Sequence, residues 1–224
     1  MSSLIIRESL PAPGRGPAGL AWDGATLWNA DYRDGRLYAL DPAGRATGRW
    51  LHCPGNLSGL TWDGRALWQS LFDQEMIRCV NPETNDFDRA ILLTGQGWLS
   101  GVACNRRTLW TIAQQRGQLL TVDLETSEVR SSVAAPVAVG DIDFRDGALW
   151  ASVAGPMRFD PLLGRFEWET NEPCYAILQL DPADGRKLAR YPADALYTGL
   201  CWAGDSLWLA HAASGSLLRA EFVG

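Results

Sequence analysis

Two carboxylates, Asp141 and Asp143, stand two residues apart in the segment DIDF. That spacing puts both side chains on one face of an extended strand. Each breaks an internal repeat. Asp141 fills a slot held elsewhere by Gly19, Gly59, Gly101 and Gly199, and Asp143 one held by Ala21, Thr61, Ala103 and Cys201. Carboxylates on an inner strand are costly unless they meet water, a partner or a cation. The pair therefore offers acid/base chemistry, a Ca²⁺ or Mg²⁺ site made with carbonyls, or caps for nearby backbone amides. His211, one of two histidines, shares its slot with Asp31. If the two meet, the carboxylate would orient and charge the imidazole for proton transfer; a purely structural hydrogen bond is the plainer alternative.

A second group is aromatic. Tyr32 and Phe72 share one slot, which Gln114 fills in the third unit; Trp98 and Tyr197 each precede an inner strand, and Trp168 lies in an insertion. Rings around a mouth with a few carboxylates suit a small ligand with an apolar or cationic part, or form a lid packed on its own floor. Asn56, Gln115 and Arg116 add polar groups on the same rim. No GxSxG, GxxxxGKS, HExxH or GxGxxG supports a known mechanism, so no cofactor is assigned. Two His and five Cys without a CxxC pair argue against a transition-metal cage and against a disulfide framework.

These residues are positioned by a repeat. Leu-Trp pairs recur at 27–28, 67–68, 109–110, 149–150 and 207–208, with steps of 40, 42, 40 and 58 between the tryptophans. The units read GLAWDGATLW, GLTWDGRALW, GVACNRRTLW, DIDFRDGALW and GLCWAGDSLW. Each continues through a turn into a short apolar strand ending in an acidic turn, as in RLYALDPAG (36–44) and AILQLDPADG (176–185). Proline presets φ there and glycine accepts a positive φ. Four short strands per unit of about 40 residues make a propeller blade, and no helical period is present.

The fold expected is all-β: one five-bladed β-propeller over residues 1–224, with four-stranded blades. The fifth unit has only three strands before Gly224, and LIIRESL (4–10) supplies the fourth, closing the ring without a free edge at that blade. The long step carries an insertion, residues 155–173, between the second and third strands of blade four, so it should overhang the face where binding gathers in propellers. The repeat tryptophans are expected to pack between sheets. Trp22, Trp62 and Trp202, with Cys104 and Phe144 in the same slot, are expected in the core.

The chain has a net charge of −6 and no Lys/Arg-rich run, which repels phosphate backbones and makes nucleic acid a poor partner. The amino terminus does not read as a secretory signal, and no apolar run is long enough for a membrane helix. A cytoplasmic protein that does not engage a membrane is expected.

The units GLAWDGATLWNADYRDGRLYALDP and GLTWDGRALWQS resemble blades of a broad bacterial group that includes glutaminyl cyclotransferase-like and virginiamycin B lyase-like propellers. The five-blade count is similar to the plant-type cyclotransferases, which cyclise amino-terminal glutamine in an aromatic pocket with carboxylate help. The breaks in the repeat, read by themselves, lead to the expectation of a small-molecule site on the channel face, walled by Trp98, Tyr197, Tyr32, Phe72 and Trp168 with Gln114, and anchored by Asp141, Asp143, Asp31 and His211. Lyase or cyclotransferase chemistry would then use His211 or Asp141 to move a proton, and Asp141→Asn would abolish turnover without lowering the melting temperature. The alternatives are a scaffold or sensor for a peptide or protein, with a broad rim, and a lectin-like binder with one site per blade.

Overall fold

A computed structural model of the chain describes residues 3–170 and 174–223. It is an all-β ring of five four-stranded antiparallel blades. Blade one is β2 (Pro17–Trp22), β3 (Leu27–Asp31), β4 (Arg36–Leu40) and β5 (Ala46–His52); blade two is β6 (Leu57–Trp62), β7 (Leu67–Leu71), β8 (Met76–Val80) and β9 (Arg89–Leu92). Blade three is β10 (Leu99–Asn105), β11 (Thr108–Ala113), β12 (Gln118–Asp123) and β13 (Val129–Ala134). Blade four is β14 (Val139–Arg145), β15 (Ala148–Ala154), β18 (Tyr175–Leu180) and β19 (Lys187–Ala193); the insertion between β15 and β18 forms its own hairpin, β16 (Met157–Asp160) and β17 (Arg165–Trp168). Residues 171–173 of that insertion lie outside the described residues. Blade five is β20 (Gly199–Ala203), β21 (Ser206–His211) and β22 (Ser216–Val223), completed by β1 (Ser3–Pro11) paired along β22. The only described helix is a single 3₁₀ turn at Gln114–Arg116, and among the described residues no helix is long and apolar enough to cross a membrane.

The core is divided into five clusters, one at each junction between neighbouring blades. The repeat tryptophans Trp28, Trp68, Trp110, Trp150 and Trp208 each sit in one of them, all buried. The WDG signature also has a bonding reason. Asp23 and Asp63 accept the turn amides of Thr26 and Ala66 and the indole N–H of Trp28 and Trp68. One carboxylate thus fixes both the turn and the rotamer of the core tryptophan.

The glycines nine residues before each repeat Trp mark the closest approach of the blades. A Cβ on Gly19 would lie 2.4 Å from the Leu60 amide nitrogen, and one on Gly59 2.4 Å from that of Val102. In blades one to four the pairing of the two inner strands slips by one residue at this slot, a β-bulge on the innermost strand. The backbone groups displaced from the ladder must be satisfied elsewhere. Asn29 Nδ2 donates to the carbonyl of Ala18, Gln69 Nε2 to that of Gly59, and Thr111 Oγ1 to those of Ser100 and Gly101. Because the clash partners are backbone atoms of the next blade, Gly59→Ala is expected to cost at least about 2 kcal/mol. Urea unfolding of the variant against the native protein checks this.

Candidate functional site

The channel along the ring axis has two mouths. The upper mouth, where the chain enters each inner strand, holds a cavity of about 330 Å³. Its floor takes one residue from every blade: Ala18, Ser58, Ser100, Gly140 and Thr198, each lying immediately before the Gly/Asp slot. Its rim takes Tyr32, Phe72, Gln114 and Ala212 from one equivalent turn position. Four of the floor residues are small enough to leave the space open and three carry hydroxyls. Thr198 Oγ1 already donates to the carbonyls of Pro17 and Ala210. Ser100 is 1% exposed and its Oγ has no partner. Among the described residues, neither the floor nor the rim carries a carboxylate or a cation.

The predicted aromatic residues divide between lining and support. Tyr32 and Phe72 line the cavity. Trp98 stands behind Phe72, ring centroids 5.2 Å apart and stacked, and Phe159 and Phe166 of the β16–β17 hairpin pack on its other side. The insertion therefore buttresses the wall through Trp98. Trp168 packs edge-on against Tyr175 instead and does not line the cavity. Tyr197 is buried, its amide donating to Ser152 Oγ and its ring edge-on to His211. Gln114 lines the cavity and locks it, since its Nε2 donates to the Val139 carbonyl and its Oε1 accepts the Val139 amide.

The proposed polar anchors lie elsewhere. Asp31 is fully buried and its oxygens accept the amides of Gly16, Arg33 and Asp34. His211 holds Ser214 Oγ at 2.8 Å through Nδ1. The expected His211–Asp31 pair does not form, because the turn after β3 has already used the carboxylate. Asp141 is also fully buried. One oxygen accepts the Ile142 amide, and the other those of Leu200 and Leu20 at 3.1 and 3.4 Å. It thus ties blade four to blades five and one, and a Cβ on Gly59 of blade two would lie 2.6 Å from it. Burial, the dominant influence, pushes this carboxyl well above the usual range, while the three amides pull the other way. Its place is at the hub of the ring. Asp141→Asn would turn an NH₂ toward one set of amides, so the expectation of an unchanged melting temperature is corrected to a loss of stability.

Asp143 opens on the lower mouth, a cavity of about 270 Å³. That mouth is ringed by Trp22, Trp62, Cys104, Phe144 and Trp202. The core assignment of these five is corrected here: they are half-buried, packed on the blade junctions on one side and facing the channel on the other. Sequence reasoning missed the floor of the upper mouth. The signal was one position upstream of the glycine slot, where a small residue recurs in all five units. Among the described residues no three His, Cys, Asp or Glu side chains converge to hold a metal ion.

No protein-family model matches the chain, and none of the curated proteins matches it. Among solved structures, it superposes on the glutaminyl cyclase of Myxococcus xanthus with a TM-score of 0.78, covering 99% of this chain and 97% of that one at 12% identity. The chain shares the fold of that cyclase. A chain of the mitotic checkpoint complex matches at a TM-score of 0.54 and 16% identity, over 91% of this chain and 62% of that one. At such identities the likeness is one of fold.

Burial, the largest influence, raises the Asp143 carboxyl to about 7, against the pull of the Trp202 and Phe144 amides. The unfolded chain releases this proton near pH 4 and the folded one near 7, so its contribution to stability falls as pH rises through that window. Asp143→Asn removes the ionisation. The variant should gain on the native protein by about 1–3 kcal/mol between pH 4 and pH 8, which melting curves at the two pH values measure.

Proposed function

We propose that the upper mouth binds one small, uncharged ligand per chain. The carrying observation is the floor of hydroxyls and small residues under aromatic walls, with Ser100 Oγ buried and unpartnered. An unsatisfied buried hydroxyl costs free energy that a ligand donor or acceptor would recover. Tyr32 and Phe72 supply apolar contact, and the absence of charge from floor and rim disfavours ionic ligands. Unequal rim residues favour one site over five equivalent ones.

Cyclotransferase chemistry on a glutaminyl amide is the enzymatic form of this reading. It is supported by the whole-length fold likeness to the Myxococcus xanthus glutaminyl cyclase and by the reacting groups, the side-chain amide and the free amine that attacks it as ammonia leaves, both being neutral. The imidazole next to the rim in the chain is His211, beside Ala212, and it would move the proton. A second reading, docking of a peptide or protein, is favoured by the tip of the insertion hairpin, where Leu162 is 94% and Leu163 57% exposed.

Thermal-shift screening with neutral amides, polyols and a glutaminyl dipeptide tests the site, with ammonia release as the enzymatic readout. Phe72→Ala and Ser100→Val should each weaken the bound compound about tenfold, or about 1.4 kcal/mol. Compounds that stabilise both variants as well as the native protein would place the ligand elsewhere. His211→Ala should lose ammonia release while retaining binding; unchanged release removes His211 from the chemistry.

A further inference from the structure

The lower mouth is a second cavity, separated from the first by the Asp141 hub. Two of its polar side chains are left with bonding capacity. Thr61 is 4% exposed, faces the cavity and its hydroxyl makes no hydrogen bond. Asp143 is half-buried, with each oxygen accepting one backbone amide, from Phe144 at 2.8 Å and Trp202 at 2.8 Å. Those two bonds fix the carboxylate in place and leave each oxygen a further lone pair. The other charged group in the wall is Arg145. Its guanidinium lies over the Trp202 ring at 4.4 Å, bonds Asp205 and the Gly204 carbonyl, and pairs with Asp146. It makes no ion pair with Asp143, and its charge is the smallest of the influences that draw the Asp143 carboxyl down.

We infer that the lower mouth binds a small primary ammonium group, with the Asp143 carboxylate and the Thr61 hydroxyl as its acceptors. A cation in the mouth would give the half-buried carboxylate the direct ion-pair partner that Arg145 does not. Indole rings from three blades stand around it and favour a cation further. Most of what the wall exposes is polar, which suits an ion with N–H donors over a methylated one.

The site also carries a pH signature. The groups facing Asp143 are Arg145 and Asp141 on its own strand, Cys201 on β20, and, across the mouth, Cys104 on β10. Burial pushes both thiols up, Cys104 to about 12, so they stay neutral. Asp143 itself ionises near 7. Affinity for an ammonium ion should rise about tenfold between pH 6 and pH 8 as the carboxylate forms.

Tryptophan fluorescence of the intact protein, titrated with methylammonium chloride, tests this. A saturating response is expected, with tetramethylammonium and potassium chlorides at equal ionic strength binding at least about tenfold more weakly. Asp143→Asn should abolish the pH dependence and weaken binding about tenfold; Thr61→Val, which removes only the hydroxyl, should weaken it several-fold and keep the pH dependence. An equal response to potassium would make this a site for monatomic cations and overturn the inference. So would equal binding of tetramethylammonium, or unchanged affinity in either folded variant.

Discussion

Five inner strands converge on an axis too narrow for side chains, and the rest of the molecule is arranged around that crowding. At four of the five slots nine residues before a repeat tryptophan, those of Gly19, Gly59, Gly101 and Gly199, a Cβ would strike the backbone of a neighbouring strand. Glycine is therefore required at those four, and the strand bulges at the slot in blades one to four. The bulge turns amides toward the axis and strips carbonyls of their ladder partners. Side chains of the second strands recover the carbonyls, and the one acidic side chain in the ring recovers amides from three blades. A fivefold arrangement of backbone dipoles is completed by a single asymmetric residue, because only one carboxylate fits on the axis.

Much of the fold was legible from the chain because a propeller writes its blade five times. Any one GLAW-like segment is a weak signal. Five in register, with the last unit short by one strand and a spare strand at the start, leave few architectures open. The insertion was legible for the same reason, as a departure from the period. The five cores at the blade junctions follow from the repeat tryptophans, since a residue present in every blade serves what every blade needs.

The site was less legible, and the reason is physical. A break in symmetry marks a residue doing something its equivalents do not, but it does not say whether the partner is a ligand or the protein itself. Asp141 and Asp31 broke the pattern conspicuously, and both are spent on backbone amides. Ser58, Ser100 and Thr198 hardly broke it, because Ala, Ser, Thr and Gly at one slot read as packing variation. They nonetheless form the cavity floor. Trp98 and Trp168 looked alike in sequence, and only packing separates the buttress behind Phe72 from the ring set against Tyr175. The Trp22 slot shows the converse: a residue recurring in every blade can still face the channel when it stands at the strand's end.

The hub also gives the two mouths opposite characters. Asp141 is wholly buried among amides and lines neither cavity. Its bonds bring the blades together at mid-channel and leave two separate cups. In the upper cup the strands diverge into loops, which are free to vary, and the hydroxyls and aromatic rings found there are neutral. The lower cup is bounded by tight strand turns and strand-end residues that the repeat holds nearly constant. Its character is set by the one blade that differs, through Asp143. A ligand in the upper cup would be selected by shape and hydrogen bonding, and one in the lower by charge. With the hub between them the two selections can be made independently, on a scaffold whose symmetry alone would have made every blade alike.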